Sequence, residues 1–242
     1  MQRCLIVAVC GAVVALGGCG KAAAPAPVVA GTAAAAAPSS ASVTILAFGD
    51  SLFAGYGLGP GQSYPARLEA ALRAKGIAAQ MINAGVSGDT TAAGRERFAF
   101  ALDGQAQTPA LVILELGGND ILRALPPAQT RDNLDAMLAE LARRKIPALL
   151  MGMRAPPNLG AAYAHAFDAI YPALAAKYRV PLVPFFLESV YARPALIQAD
   201  HVHPNSQGVA VLVAATAAQV TAALPNPAAK PAPTPAAPPP PR

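Results

Sequence analysis

The sequence contains no tryptophan, and no cysteine beyond residue 19. Its three cysteines, Cys4, Cys10 and Cys19, leave the rest of the chain without a disulfide framework or a thiolate metal site. Charge is scarce too: 13% of residues are Asp, Glu, Lys or Arg against 54% hydrophobic, which excludes a chain disordered throughout. The formal net charge of +5 invites a nucleic-acid reading, but Arg3, Lys21, Lys230 and Arg242 sit in the ends. Between Val43 and Ala223, 14 Lys and Arg face 13 Asp and Glu, with no basic stripe and no interleaved aromatics, so nucleic acid is not an expected partner. There is no G-x-S-x-G, hence no α/β-hydrolase nucleophile elbow. The run Gly55-Tyr56-Gly57-Leu58-Gly59-Pro60-Gly61 fails as a dinucleotide loop because Pro60 stands where the third glycine belongs. No acidic residue ends the Ala78–Asn83 run to hold a ribose either.

What is present divides into four parts. Residues 1–18 read as a signal peptide: Met1-Gln2-Arg3 supplies a positive start, and Cys4 to Leu16 is an apolar run too short to span a bilayer comfortably. Leu16-Gly17-Gly18-Cys19 follows, similar to the lipobox of bacterial lipoproteins, which implies a lipid on Cys19. The competing reading is a secretory signal cut near Ala22-Ala23-Ala24. Residues 19–42, rich in Ala, Pro, Ser and Thr, read as a tether, and residues 224–242 as a proline-rich disordered tail.

Residues 43–223 hold the expected folded domain. Apolar runs at Val43–Phe48, Ala78–Asn83, Ala110–Leu116, Pro147–Met153 and Pro181–Pro184 alternate with amphipathic segments at Tyr64–Lys75, Gln129–Lys145 and Asn205–Ala223. Ala161–Tyr178 also reads as helix-like. The alternation predicts an α/β fold, a three-layer α/β/α sandwich on a mostly parallel five-stranded sheet.

The strand ends carry the chemistry. After the first run, Gly49-Asp50-Ser51-Leu52 places a serine hydroxyl at the carboxyl edge of the sheet, where open α/β sheets bind ligands. After the second, in Val86-Ser87-Gly88-Asp89-Thr90-Thr91, the Gly88 N–H can face an oxyanion, while Asp89 or Thr90 can cap the next helix. After the third, Leu116-Gly117-Gly118-Asn119-Asp120 brings an amide donor, Asn119, to the same edge. Near the end, Asp200-His201-Val202-His203-Pro204 spaces a carboxylate three residues before an imidazole, so Asp200 can hold the Nδ1–H of His203 and free Nε2 for Ser51. His201 is expected to point elsewhere, His165 to lie on a helix surface, and a metal on Asp200, His201 and His203 lacks a further ligand cluster. Taken singly, each segment also reads as an ordinary capped turn.

Together, Gly49-Asp50-Ser51-Leu52, Gly88, Gly117-Gly118-Asn119-Asp120 and Asp200-x-x-His203-Pro204 resemble the four blocks of the SGNH (GDSL) hydrolase family, in the family's order. Gly-Val-Ser-Gly-Asp-Thr-Thr and Leu-Gly-Gly-Asn-Asp are similar to its lysophospholipase, acyl-thioesterase I and arylesterase branch. The resemblance implies a flavodoxin-like fold, Ser51 as nucleophile, His203 as base with Asp200 its partner, and oxyanion donors from the Ser51 and Gly88 N–H groups and the Asn119 amide. It also implies a groove for an acyl or aryl group at Ile121, Leu122, Leu125, Phe185 and Phe186, residues that equally read as ordinary packing. Arg154 is expected either to contact substrate or to pair with a carboxylate at the rim. Ile121 departs from the smaller residue frequent in relatives, which leaves acyl-chain length open.

The expected reaction is hydrolysis of carboxylic esters and thioesters through an acyl-enzyme, without metal or organic cofactor. A carbohydrate O-deacetylase and a non-catalytic tethered binding protein are the alternatives. Model imidazoles lose their proton near pH ~6.5, so activity is expected to rise through roughly pH 6–8. The expected partners are a small acyl ester or thioester and, through Cys19, a bacterial membrane facing the periplasm. The resemblance to bacterial lipoproteins, with no Asp after Cys19, implies the outer membrane by their sorting rules, and a monomer is expected.

Overall fold

The computed structural model describes residues 42–225. The signal, lipobox and most of the tether and tail lie outside the described residues.

Five strands form one parallel sheet in the order β2-β1-β3-β4-β5: β1 (Val43–Gly49), β2 (Ala79–Gly85), β3 (Leu111–Glu115), β4 (Ala148–Met151) and β5 (Leu182–Val183). This is the flavodoxin-like order. Strands β1, β3 and β4 are near-continuous apolar runs because helices cover both faces, so no alternating pattern is required of them. Register is fixed along the central pair by Ile45 opposite Leu111 and Phe48 opposite Leu114.

Eight α-helices accompany the sheet among the described residues: α1 (Ser51–Ala54), α2 (Tyr64–Ala74), α3 (Thr91–Asp103), α4 (Gly118–Leu122), α5 (Pro127–Arg144), α6 (Ala161–Asp168), α7 (Ile170–Tyr178) and α8 (Ser206–Ala223). Helix α2 packs with α8 on one face, and α3, α5 and α7 pack side by side on the other. The helical stripe of α5 is the predicted one, with Leu134, Met137, Leu138 and Leu141 buried. Although α8 is long and apolar enough to cross a membrane, its Val209, Leu212, Val213 and Val220 are buried in the core.

Two local features depart from the sequence reading. The Ala161–Tyr178 segment is two helices, because Pro172 has no N–H to offer the carbonyl of Asp168 and its ring crowds that turn. The segments after β1 and β3 are not simple turns but short helices, α1 and α4.

The sheet has two unlike edges. Its carboxyl ends carry the segments containing Ser51, Gly88 and Asn119. At its amino ends, Pro147 and Pro181, which lead into β4 and β5, share a shallow cavity with Ala223 at the end of α8. The described chain enters β1 and leaves α8 at this second edge.

Candidate active site

At the end of β1, Asp50 caps α1 by accepting the Leu52 N–H at 3.0 Å, and this cap sets Ser51 as the first helical residue. Ser51 is largely buried, and its Oγ lies 2.8 Å from Nε2 of His203. On the other side of the ring, Nδ1 lies 2.7 Å from Oδ2 of Asp200. A carboxylate only accepts, so Nδ1 carries the proton and Nε2 is left to accept from the serine hydroxyl. Oδ1 of Asp200 accepts the Val202 and His203 N–H groups, both at 3.0 Å. Partial burial pushes the Asp200 carboxyl up, but those two N–H bonds and the His203 ring outweigh it and hold the group down at about 2. It is therefore ionised at neutral pH.

The oxyanion donors expected from the sequence sit differently from one another. Gly88 adopts φ +88°, a conformation that side chains resist, and its carbonyl accepts from Nη2 of Arg123 at 2.9 Å. The N–H groups of Ser51 and Gly88 donate to no acceptor among the described residues. Asn119 faces the cavity, yet its amide nitrogen already donates to Oδ2 of Asp50 at 3.1 Å and to the Asp89 carbonyl at 3.0 Å. Its position is secured by the next residue. Asp120 is buried and accepts the Thr91 N–H and hydroxyl at 2.8 and 2.5 Å and the Thr130 hydroxyl at 2.9 Å, joining α4 to α3 and α5.

Two groups behind the serine, one buried and one half-buried, escaped the sequence reading. Glu115, fully buried at the end of β3, accepts the Asp50 N–H at a long 3.4 Å, and its Oε1 has no partner. Burial raises the Asp50 carboxyl to about 6, and burial together with the Asp50 charge pushes the Glu115 carboxyl well above the usual range. Arg97 on α3 is the second. It donates to Asp89 at 2.6 Å, to the Ala84 carbonyl at 2.9 Å and to the Gly49 carbonyl at 3.0 Å, over the face of Phe48. Thr90, not Asp89, caps α3, because Asp89 is occupied by this guanidinium.

Beside Ser51 and His203 opens a cavity of about 260 Å³. Of the residues expected to line it, Ile121, Leu122, Arg154 and Phe185 do. Phe186 does not: it is 1% exposed and packs edge-on against Phe53 and Tyr64 in the core. Leu125 is not on the wall either; its carbonyl takes the Tyr163 hydroxyl at 2.9 Å. Only one phenylalanine of the pair reaches the cavity, because Phe186 is taken up by the core aromatics. Arg154 pairs with Glu188 at 3.2 Å and lies over the Phe185 ring. His201, expected to point away, lines the rim from a left-handed backbone conformation, and His165 is exposed on α6. Met153, Pro156, Leu187 and Tyr191 also line the cavity and carried no signal in the sequence. No cluster able to hold a metal ion occurs among the described residues.

A hydroxyl, an imidazole and an ionised carboxylate in series, with two unspent N–H groups on neighbouring segments and an apolar cavity alongside, can perform acyl transfer. The crystal structure of AlinE4, an SGNH-hydrolase family esterase, is 66% identical, covers 76% of this chain and 98% of its own, and superposes with a TM-score of 0.65. Esterase TesA of Pseudomonas aeruginosa is 42% identical over 164 residues, 68% of this chain and 81% of its own. The thioesterase 1/protease 1/lysophospholipase L1 of Escherichia coli (strain K12) is 42% identical over 162 residues, 67% of this chain and 76% of its own. Residues 47–211 match the GDSL-like Lipase/Acylhydrolase family, and the chain, a parallel α/β protein with its serine at the end of β1, belongs to it.

Proposed function

We propose that Ser51 is the nucleophile of this hydrolase, His203 its general base and Asp200 the carboxylate that orients and stabilises the imidazolium. The chain is a serine ester hydrolase acting on carboxylic esters and thioesters. The observation that carries the residue assignment is the run of two short contacts, 2.8 Å from Ser51 to His203 and 2.7 Å from His203 to Asp200, opening onto an apolar cavity.

As Ser51 Oγ attacks the carbonyl carbon, its proton passes to Nε2 of His203. The oxyanion takes up hydrogen bonds from the Ser51 and Gly88 N–H groups and from Asn119, whose amide turns part of its donation away from Asp50 and Asp89. The imidazolium then protonates the leaving alcohol or thiol, and the acyl group remains on Ser51. Water, deprotonated by His203, attacks the acyl-enzyme, and the imidazolium returns the proton to Ser51 Oγ as the carboxylic acid leaves.

For the substrate we infer single-chain acyl esters of short to medium length, aryl esters, lysophospholipids and acyl thioesters. The cavity volume and its Ile121, Leu122 and Phe185 wall support that reading, as do relatives named as esterase, thioesterase and lysophospholipase. We also infer a lipid on Cys19 that holds the protein to a bacterial envelope membrane on its periplasmic side; the support is Leu16-Gly17-Gly18-Cys19 behind an apolar run. Gly20 after the cysteine supports the outer membrane.

A fluorophosphonate should label the wild type at Ser51 and fail to label Ser51→Ala, which should also lose hydrolysis. Labelling or turnover that survives Ser51→Ala refutes the assignment. A chain-length series of p-nitrophenyl esters, an acyl thioester and an acetylated glycan sorts the substrates. Turnover of the glycan alone would move the enzyme to the O-deacetylases. Cys19→Ser should release the protein from membranes, and unchanged partitioning argues against the lipid.

A further inference from the structure

The short contact between Ser51 and His203 joins segments separated by about 150 residues of chain, and a second set of bonds holds those segments together. The base segment folds back on itself: Ile197 pairs with Pro204, and the Asn205 N–H reaches the Leu196 carbonyl at 2.8 Å. Gln198 sits in this fold. Its backbone N–H donates to the carbonyl of His203 at 2.8 Å. Its side-chain amide spends both hydrogens, one on the Pro204 carbonyl at 3.0 Å and one on the Tyr56 carbonyl at 2.8 Å.

Tyr56 belongs to the nucleophile's segment. Its N–H donates to the carbonyl of Ser51 at 3.2 Å, and its ring lies against the His203 imidazole with centroids 4.5 Å apart. Hydrogen bonds thus run from the Ser51 backbone through Tyr56 and Gln198 to the His203 backbone, parallel to the bond that does the chemistry. The approach is tight. A Cβ at Gly57 would lie 2.2 Å from Oε1 of Gln198, so only glycine lets the amide come this close.

We propose that Gln198 is a positioning residue for the reaction: its amide clamps the base segment to the Tyr56 turn and fixes the distance between Ser51 Oγ and His203 Nε2. This rests on the Ser51–His203 assignment. Neither Gln198 nor Tyr56 itself lines the cavity, so loss of the clamp should change turnover and not substrate affinity. Misplacing a catalytic group by ~1 Å can cost ~100-fold in rate.

The test uses p-nitrophenyl ester kinetics on Gln198→Ala, Gly57→Ala and the double variant, with fluorophosphonate labelling rates and thermal unfolding measured in parallel. Gln198→Ala should lower kcat and the labelling rate by ~10–100-fold while KM stays within about twofold and the protein remains folded. Gly57→Ala displaces the same amide and should lower kcat similarly, and the double variant should be no slower than Gln198→Ala alone. Turnover of Gln198→Ala within about twofold of wild type overturns the proposal. So does a loss confined to KM, or losses that multiply in the double variant. Should Gln198→Ala fail to fold, Gln198→Met, which keeps the length and loses both N–H donors, decides by the same kcat criterion. An unlabelled wild type would instead remove the underlying assignment, whereas a labelled wild type beside an unimpaired Gln198→Ala removes the clamp alone.

Discussion

Replacing Glu115 by glutamine should leave the protein intact and erase part of the pH dependence of its stability. Glu115 and Asp50 are two buried carboxyl groups, joined through the Asp50 N–H. Asp50 has the partners of an anion, the Leu52 N–H and the Asn119 amide, whereas Oε1 of Glu115 has none. The proton therefore belongs on Glu115, whose carboxyl is pushed well up by burial first and by the Asp50 charge second. In the unfolded chain the same group ionises near pH ~4.3. Above that pH the unfolded state binds fewer protons than the native state, so stability falls as pH rises, by at most ~1.4 kcal/mol per unit. From pH 5 to pH 7 the sum is at most about 3 kcal/mol, or ~6–12 °C in Tm for a domain of this size. Glutamine keeps a neutral side chain of the same shape and removes the linkage. The difference in Tm between Glu115→Gln and wild type should therefore grow in the variant's favour from pH 5 to pH 7, followed by circular dichroism. A difference that is constant across this range would refute the reasoning, since it would mean that Glu115 sheds its proton as readily when buried as when unfolded.

Three further outcomes are expected. Asn119→Ala should cut kcat by ~100–1,000-fold with little change in KM, measured on a p-nitrophenyl ester, since it removes the amide proposed as an oxyanion donor, and one such donor is worth ~2.7–4 kcal/mol. Asp120→Asn should lower stability by ~1–3 kcal/mol in urea unfolding, because an amide turned toward the Thr91 and Thr130 donors leaves one of them unsatisfied. Arg97→Ala should cost ~2–4 kcal/mol by removing two bonds to carbonyls at the ends of β1 and β2 and leaving the mostly buried Asp89 unpaired, and Arg97→Lys should recover only part of it in the same assay.

Much of this architecture was legible because its signals are local. The β-branched run opening β1 and the helical stripe of α5 need no partner to be recognised, and the glycine and asparagine after β3 mark a strand end on their own. What stayed hidden depends on distant residues. Nothing in Leu111–Leu116 tells which face Glu115 takes, since a strand buried on both sides has no alternation. Phe185 and Phe186 are the same residue type, one on the cavity wall and one in the core, so their roles separate only once the chain after β5 has been placed. Arg97 looks like any charge on a helix until Asp89 and the ends of two strands are brought beneath it. Helix α1 is four residues long, below the length at which periodicity carries information.

The chain enters β1 and leaves α8 at the edge of the sheet opposite the cavity. A fusion partner, an affinity handle or a solid support attached at either end of the domain would accordingly leave the substrate's route to Ser51 open. Display on a bead or a cell surface is therefore a practical format for screening variants of the cavity wall.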